Sequence, residues 1–105
     1  MKLIMAIVSS DDSGDLISTL TKNGFSVTKL ATTGGFLRAG NTTVIIGVEE
    51  DKIEDVFAII KNTCSKRKQI TTNQAPFGGI MAYPIEIEVG GATVFVLDVD
   101  NFIKL

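Results

Sequence analysis

The chain contains no histidine and no tryptophan, and Cys64 is its single cysteine among 105 residues. The lack of histidine removes the commonest general base near neutral pH, the commonest metal ligand and every Ser–His or Cys–His nucleophile. A single cysteine cannot form an internal disulfide, which favours a reducing compartment. Because it falls on a predicted helix, Cys64 is interpreted as a small core residue. These absences argue against an enzyme built on the common catalytic groups.

Long apolar runs and concentrated positive charge are also scarce. The longest apolar run, Leu3 to Val8, is far shorter than the roughly 20 residues that a membrane-spanning helix needs. We therefore expect no membrane partner and a cytoplasmic protein. The net charge is −2, and the basic cluster from Lys66 to Lys68 is interpreted as a solvated turn after a helix. With so few cations together, the chain is not expected to bind nucleic acid.

Acidic side chains fall where helices are predicted to begin, at Asp11 and Asp12 and again from Glu49 to Asp55. Negative charge is favoured at the N-terminus of a helix, so capping explains these residues better than catalysis does. Glu86 and Glu88 alternate with apolar residues, which is typical of the solvent-facing side of a strand. We predict no catalytic residue, no metal site and no cofactor.

The chain length is typical of one domain, and residues 1–105 are assigned to a single ligand-binding domain. The apolar spacing predicts a first helix from the capping residues Ser10 to Asp12 to about Asn23, and a second helix from Asp51 to Cys64. A loop is predicted from Asn73 to Tyr83. The predicted strands are Leu3–Val8, Phe25–Leu30, Thr43–Val48, Gln69–Thr72, Pro84–Val89 and Thr93–Val99.

This order of elements predicts an α+β fold, a ferredoxin-like β-α-β-β-α-β sandwich with an added C-terminal hairpin. The pair Gly90–Gly91 is predicted to join the last two strands in a tight hairpin. Both helices are expected on one face of the sheet. The strands are apolar on their other face as well, so we expect neighbouring subunits to cover it.

The segment from Thr28 to Thr43 places glycines, threonines, one aromatic residue and one amide between two apolar strands. Its glycines allow backbone N–H groups to turn toward an anion. Phe36 offers a flat face for a base, and Asn41 carries a donor and an acceptor that can read a base edge. The segment therefore predicts a nucleotide-binding loop, with a turn-rich connection as the alternative.

This segment, together with Tyr83–Pro84, Glu86–Thr93 and Val94–Val96, resembles the PII-like cyclic di-adenosine monophosphate (cyclic di-AMP) receptor family of the PII signalling superfamily. The resemblance covers nearly the whole chain. It implies a nonenzymatic signal-transduction protein, a homotrimer with ligand clefts between subunits, and an unknown downstream protein partner.

The same resemblance implies the residues of the ligand site. One adenine of cyclic di-AMP is expected near Phe36, Leu37, Asn41 and Gly47, with phosphate contacts near Thr28, at the base of a loop that changes conformation. The residues assigned to the ligand are Thr28, Gly35, Phe36, Leu37, Asn41, Gly47 and Phe95.

Two other interpretations stay open. Family members often carry a basic residue at Ser26 and a glutamine at Lys104, and these departures leave room for a PII-like adaptor that responds to another nucleotide or to a protein partner. The third interpretation is a small enzyme with an active site between subunits, acting through Lys29 or Arg38 on a phosphorylated substrate. The missing histidine and the absence of a carboxylate pair disfavour it.

Overall fold

The computed structural model describes residues 1–30, 40–73 and 83–105. Within these ranges the chain forms two α-helices, one 3-10 turn and six β-strands. Their bounds are β1 Lys2–Ser9, α1 Ser10–Lys22, β2 Val27–Leu30, β3 Asn41–Val48, the 3-10 turn Glu50–Lys52, α2 Ile53–Cys64, β4 Arg67–Asn73, β5 Tyr83–Val89 and β6 Ala92–Asp98.

Four of these strands form an antiparallel sheet in the order β2-β3-β1-β6. The central pair of strands is β1 and β3. Their register runs from Lys2 opposite Val48 to Ser9 opposite Asn41. On the outside, β6 lies along β1 and β2 lies along β3. This strand order, with one helix after β1 and one after β3, confirms the predicted ferredoxin-like fold.

The core lies between the sheet and the two helices. Every second residue of β1 is buried, and the buried residues of α1 and α2 recur at a spacing of four, so each element buries one side. Cys64 is fully buried in this cluster, which confirms its interpretation as a core residue. The buried apolar residues are Ile4, Ala6, Val8, Leu16, Leu20, Val44, Ile46, Val48, Val56, Ile60 and Cys64.

The start of α1 differs from the prediction. Ser9 is the N-cap, and its Oγ accepts the Asp11 N–H at 3.3 Å. Asp12 does not serve as a solvated cap, because its side chain turns into the protein and is only 7% exposed. At the other end, Gly24 has φ +86° and follows the C-cap Asn23, as the predicted helix stop requires.

The pair Gly90–Gly91 does not close a hairpin, and this part of the prediction is wrong. The strand before it, β5, pairs with β4 from Val89 opposite Arg67 to Tyr83 opposite Asn73. The strand after it, β6, pairs with β1 instead. The two glycines have φ +82° and +96° and carry the chain from the β4–β5 hairpin into the main sheet. A turn-forming pair does not determine which strands pair, because β6 gains more by completing the open edge of β1.

The β4–β5 hairpin stands outside the four-stranded sheet. The molecule is elongated. The principal extents are 60 × 29 × 20 Å, and the Cα radius of gyration is 17.3 Å. A compact domain of 100 residues has a radius of gyration of about 13 Å. Among the described residues, no helix is long and apolar enough to cross a bilayer.

The face of the sheet away from the helices is apolar and partly exposed. In β1 it carries Leu3, Met5 and Ile7, which alternate with the buried core residues. On the edge strand β6, Phe95 is 50% exposed and Leu97 is 46% exposed. No helix in the described part of the chain packs on this surface, which we call the open face.

Candidate functional site

Four of the seven predicted ligand residues, Thr28, Asn41, Gly47 and Phe95, fall on described strands. The other three, Gly35, Phe36 and Leu37, lie outside the described residues. All four described residues are exposed, and each lies on one of the four strands of the main sheet.

The strand register brings these four residues onto the open face. Ile45 of β3 pairs with Met5 of β1 on one side and with Thr28 of β2 on the other, and Met5 pairs in turn with Phe95. Directly paired residues project from the same face, so Thr28, Ile45, Met5 and Phe95 form one row across the sheet. Asn41 and Gly47 lie an even number of residues from Ile45 along β3 and share its face.

The same register keeps these residues apart within one protomer. Asn41 and Gly47 are six residues apart on one strand, which is about 20 Å. One adenine therefore cannot contact both residues of the same subunit. Thr28 and Phe95 lie on opposite edge strands, three strand spacings or about 14 Å apart. A ligand that contacts all four has to be long or has to lie between copies of the chain.

A cavity of about 290 Å³ lies at the Asn41 end of the sheet. Its polar lining comes from Ser9, Asn41, Lys66 and Thr93, and its remaining wall includes the backbone of Gly90–Gly91. Amide, hydroxyl and ammonium groups together can bind a base edge and a phosphate. The Lys66 ammonium is exposed and lies 3.9 Å from a carboxylate oxygen of Glu88. The cavity is thus lined by one predicted ligand residue, Asn41, and by polar side chains that were not predicted to belong to a site.

A second cavity, of about 570 Å³, lies at the Gly47 end. Ser26, Phe25 and Lys52 also line it. A Cβ atom built on Gly47 meets nothing within 4 Å, so the space above this backbone is open to a ligand. A ligand can therefore approach the Gly47 backbone closely.

The residues on both sides of Asn41 are bonded to Ser10, the first residue of α1. The Ser10 N–H donates to the Gly40 carbonyl at 2.7 Å, and the Ser10 and Thr42 hydroxyls are 2.8 Å apart. Thr42 is only 6% exposed whereas Ser10 is exposed, so this second contact is partly buried. The Ser13 hydroxyl in turn donates to the Ser10 carbonyl at 2.9 Å. These bonds fix the position from which the Asn41 side chain emerges.

Two residues further along α1, Asp12 accepts hydrogen bonds from both arms of the Arg67 guanidinium. The Nη2–Oδ1 distance is 2.7 Å and the Nη1–Oδ2 distance is 3.3 Å, which is a two-pronged ion pair. Hydrogen bonding to Asp12, and then its charge, raises the pKa of Arg67 above its ordinary value. Arg67 Nη1 also donates to the Ser65 carbonyl at 3.3 Å.

Sequence reasoning missed both members of this pair. Arg67 was interpreted as part of a solvated turn, and Asp12 as a cap. The two residues are 55 positions apart in the chain, so neither spacing nor local composition signals the contact. Among the residues that the structure describes, no three acidic or cysteine side chains are placed to hold a metal ion.

The chain is similar both to a known protein family and to solved structures. A family model described as "Cyclic-di-AMP receptor" matches residues 1–105. The crystal structure of a functionally unknown protein from Pediococcus pentosaceus ATCC 25745 is similar, with 41% sequence identity and a TM-score of 0.80. That alignment covers 99% of this chain and 96% of the other. The chain belongs to the cyclic-di-AMP receptor family.

Proposed function

We propose that this protein is a signalling receptor that binds cyclic di-AMP between the subunits of a homotrimer, changes loop conformation on binding and catalyses no reaction. The observation that carries the proposal is the family match over the entire chain. The open face supports it, since four of the residues assigned to the ligand lie there and are exposed.

The chemistry of these residues suits the parts of the ligand. Asn41 offers an amide to the edge of an adenine, in a cavity that also contains a lysine and two hydroxyl side chains. Thr28 offers a hydroxyl to a phosphate, and Phe95 an apolar surface to a base. The ligand requires all three kinds of contact, because each adenine has a polar edge and an apolar face and each phosphodiester is an anion.

A cleft between subunits supplies what one protomer lacks. Thr28 and Phe95 lie on opposite edges of one sheet, on β2 and β6. If the β2 edge of one copy approaches the β6 edge of the next, both residues face the same cleft. The same arrangement covers the exposed apolar residues Phe95 and Leu97 of the open face. We therefore place the ligand at the junction of two copies.

Titration calorimetry with purified protein tests this function. We expect one cyclic di-AMP per subunit and weaker binding of cyclic di-GMP, because the guanine edge presents different donors and acceptors to Asn41. Tighter binding of cyclic di-GMP would contradict the role of Asn41. Chromatography of the ligand after incubation should return it unchanged, and its conversion would contradict a nonenzymatic receptor.

A thermal-shift panel of mono-, di- and cyclic dinucleotides distinguishes the adaptor alternative. A ligand at 100 times its Kd stabilises the native state by about 2.7 kcal/mol. We expect the largest shift with cyclic di-AMP. If another nucleotide raises the thermal midpoint more, that nucleotide replaces cyclic di-AMP as the proposed ligand, and the proposed site is unchanged.

A further inference from the structure

The cavity at Asn41 is built by two segments that are far apart in the chain. One is the start of β3, with Asn41 itself, and the other is the Gly90–Gly91 connection that leaves the β4–β5 hairpin. A group bound in this cavity therefore contacts β3, the strand that follows the first predicted loop. It also contacts Gly90–Gly91, which we call the hairpin base. The position of the hairpin base helps to set the shape of the cavity.

The first turn of α1 is the structural link between these two segments. Ser10 bonds to the Gly40 carbonyl through its N–H and to the Thr42 hydroxyl through its side chain, on either side of Asn41. Two residues later, Asp12 holds Arg67, the first residue of β4. Both attachments belong to one turn of one helix, which is a rigid unit, so the start of β3 and the start of β4 are fixed relative to each other.

Arg67 also connects to the far strand of the hairpin. A Cβ atom built on Gly90 would lie 2.7 Å from Arg67 Nη1, so the guanidinium packs directly against the Gly90 backbone. The Gly91 N–H donates to the Cys64 carbonyl, and Arg67 donates to the neighbouring Ser65 carbonyl. The guanidinium thus touches the segment that enters the hairpin and the segment that leaves it.

We propose that Asp12 and Arg67 are positioning residues that hold the hairpin base against the Asn41 cavity and thereby couple ligand binding to the β4–β5 hairpin. The proposal rests on the proposed function, because it assigns the ligand to that cavity. Neither residue needs to touch the ligand. The ion pair and a ligand bound in the assembled cavity both stabilise the same arrangement of the hairpin base. Ligand binding and the ion pair therefore reinforce each other.

Burial makes this pair sensitive to substitution at either member. The Asp12 side chain is 7% exposed, so removing Arg67 leaves a shielded carboxylate without its partner. Removing Asp12 frees the guanidinium, which is 48% exposed and can reach solvent. Variants of Asp12 are therefore safer for folding than variants of Arg67, and the conservative Asp12→Asn also retains the shape of the side chain.

The experiment is hydrogen–deuterium exchange of the full chain with and without saturating cyclic di-AMP, on the parent, Arg67→Gln, Asp12→Asn and the double variant. In the parent, the ligand should slow exchange of the β4 and β5 amides. In the single variants we expect this protection to be lost and the Kd to rise about two- to thirtyfold. The double variant should be no weaker than the weaker single variant, because both substitutions break the same link.

Lys2→Gln is the matched control. It breaks an ion pair of the same charge type, Lys2 with Asp98, on the strand pair β1–β6. Its hairpin amides should keep their protection by the ligand. For each variant without ligand, the exchange of the β1 amides and the thermal midpoint show whether the protein is folded. Arg67→Lys is a second variant, which keeps the positive charge but loses the two-pronged geometry.

The possible results are distinct. Binding by the parent without any change in the β4 and β5 amides would overturn this inference and leave the proposed function intact. If folded Arg67→Gln binds cyclic di-AMP with the affinity of the parent and keeps the protection of its hairpin amides, this inference is also overturned and the proposed function stands. If the parent does not bind cyclic di-AMP at all, the proposed function fails and this inference fails with it.

Discussion

Asn41 occupies a position where a short polar side chain can be both exposed and fixed. It is the first residue of β3, and its neighbours on both sides are bonded to Ser10. Its side chain is exposed on the open face at a polar cavity. A residue whose backbone is held by its neighbours loses little entropy when its side chain binds a ligand, which is what a base-reading amide requires.

Asn41→Ala should weaken cyclic di-AMP binding roughly tenfold or more, because a base-edge group left buried without its partner costs about 1 to 3 kcal/mol. Binding of cyclic di-GMP should weaken less. Calorimetry on folded protein measures both effects. Asn62→Ala, on an exposed position of α2, is the matched control and should bind like the parent. Unchanged affinity for cyclic di-AMP in Asn41→Ala would remove the base-reading role from this residue.

Two glycines make a contrasting pair for stability. Gly90 has φ +82°, and a Cβ there would collide with Arg67 Nη1 and with the Ser65 carbonyl oxygen, each at 2.7 Å. Gly90→Ala should therefore lower the free energy of unfolding by at least about 1 kcal/mol. Gly14 lies within α1 with nothing near its Cβ position, so Gly14→Ala should raise that free energy by about 0.5 to 1 kcal/mol. Chemical denaturation measures both, and equal effects of the two substitutions would contradict the packing at Gly90.

Sequence reasoning identified residues whose role follows from local spacing. It missed residues whose role depends on contacts between distant parts of the chain. Cys64 was identified as a core residue because helical spacing alone places it on the buried stripe of α2. Asp12 and Arg67 follow patterns that are equally typical of caps and solvated turns, and their pairing exists only because the fold brings α1 and β4 together. No local pattern contains that information.

Among the elements, those with a strong period were predicted closely. The second helix was expected to end at Cys64, as it does, and its first residues form a 3-10 turn before Ile53. The pairing of β2 with β3 also follows the predicted order. The predicted pairing of β5 with β6 was wrong, because the turn preference of Gly90–Gly91 is local whereas the pairing of β6 with β1 joins opposite ends of the chain.

That pairing of the two chain ends is reinforced by an ion pair between Lys2 of β1 and Asp98 of β6. Hydrogen bonding to Lys2, and then its charge, lowers the pKa of Asp98 below the ordinary value of 3.8. The same contact raises the pKa of Lys2 above 10.5. The pair is therefore fully charged across the neutral range.

These directions predict a loss of stability in acid. A carboxyl whose pKa is lower in the folded state stabilises the protein above its unfolded pKa, and this contribution disappears as the pH falls through the folded pKa. Asp98→Asn should thus be less stable than the parent at pH 7, and the difference should shrink as the pH falls below about 4. Denaturation from pH 7 to pH 2 measures it. Asp100→Asn changes the net charge equally and should show no such convergence; a constant deficit in Asp98→Asn would contradict the ion-pair origin.

For the whole molecule, the main consequence of the fold is that, among residues 1–30, 40–73 and 83–105, helices cover one face of the sheet and none covers the other. The open face carries Phe95 and Leu97, each about half exposed, beside the apolar residues of β1. An exposed apolar surface of this kind marks an interaction site. The sequence predicted this surface from strands that are apolar on both sides, although it could not specify how copies of the chain meet.

Leu97→Asp tests whether this surface joins the subunits and whether the joined subunits form the ligand site. Leu97 pairs with Leu3 on the open face and is not among the residues assigned to the ligand. Burying an unpaired carboxylate between subunits is unfavourable, so light scattering should show a monomer for the variant and a trimer for the parent. Its circular dichroism should match that of the parent, because the helix-covered core on the other face is unchanged.

The monomeric variant should then fail to bind cyclic di-AMP although its own Thr28, Asn41, Gly47 and Phe95 are intact. The reason is geometric, since Thr28 and Phe95 lie on opposite edges of one sheet and meet only when a second copy is present. Ser18→Asp adds the same charge to the exposed side of α1 and should remain a trimer that binds the ligand. A folded Leu97→Asp monomer that binds cyclic di-AMP like the parent would place the whole site within one subunit, and a monomeric parent would remove the intersubunit cleft.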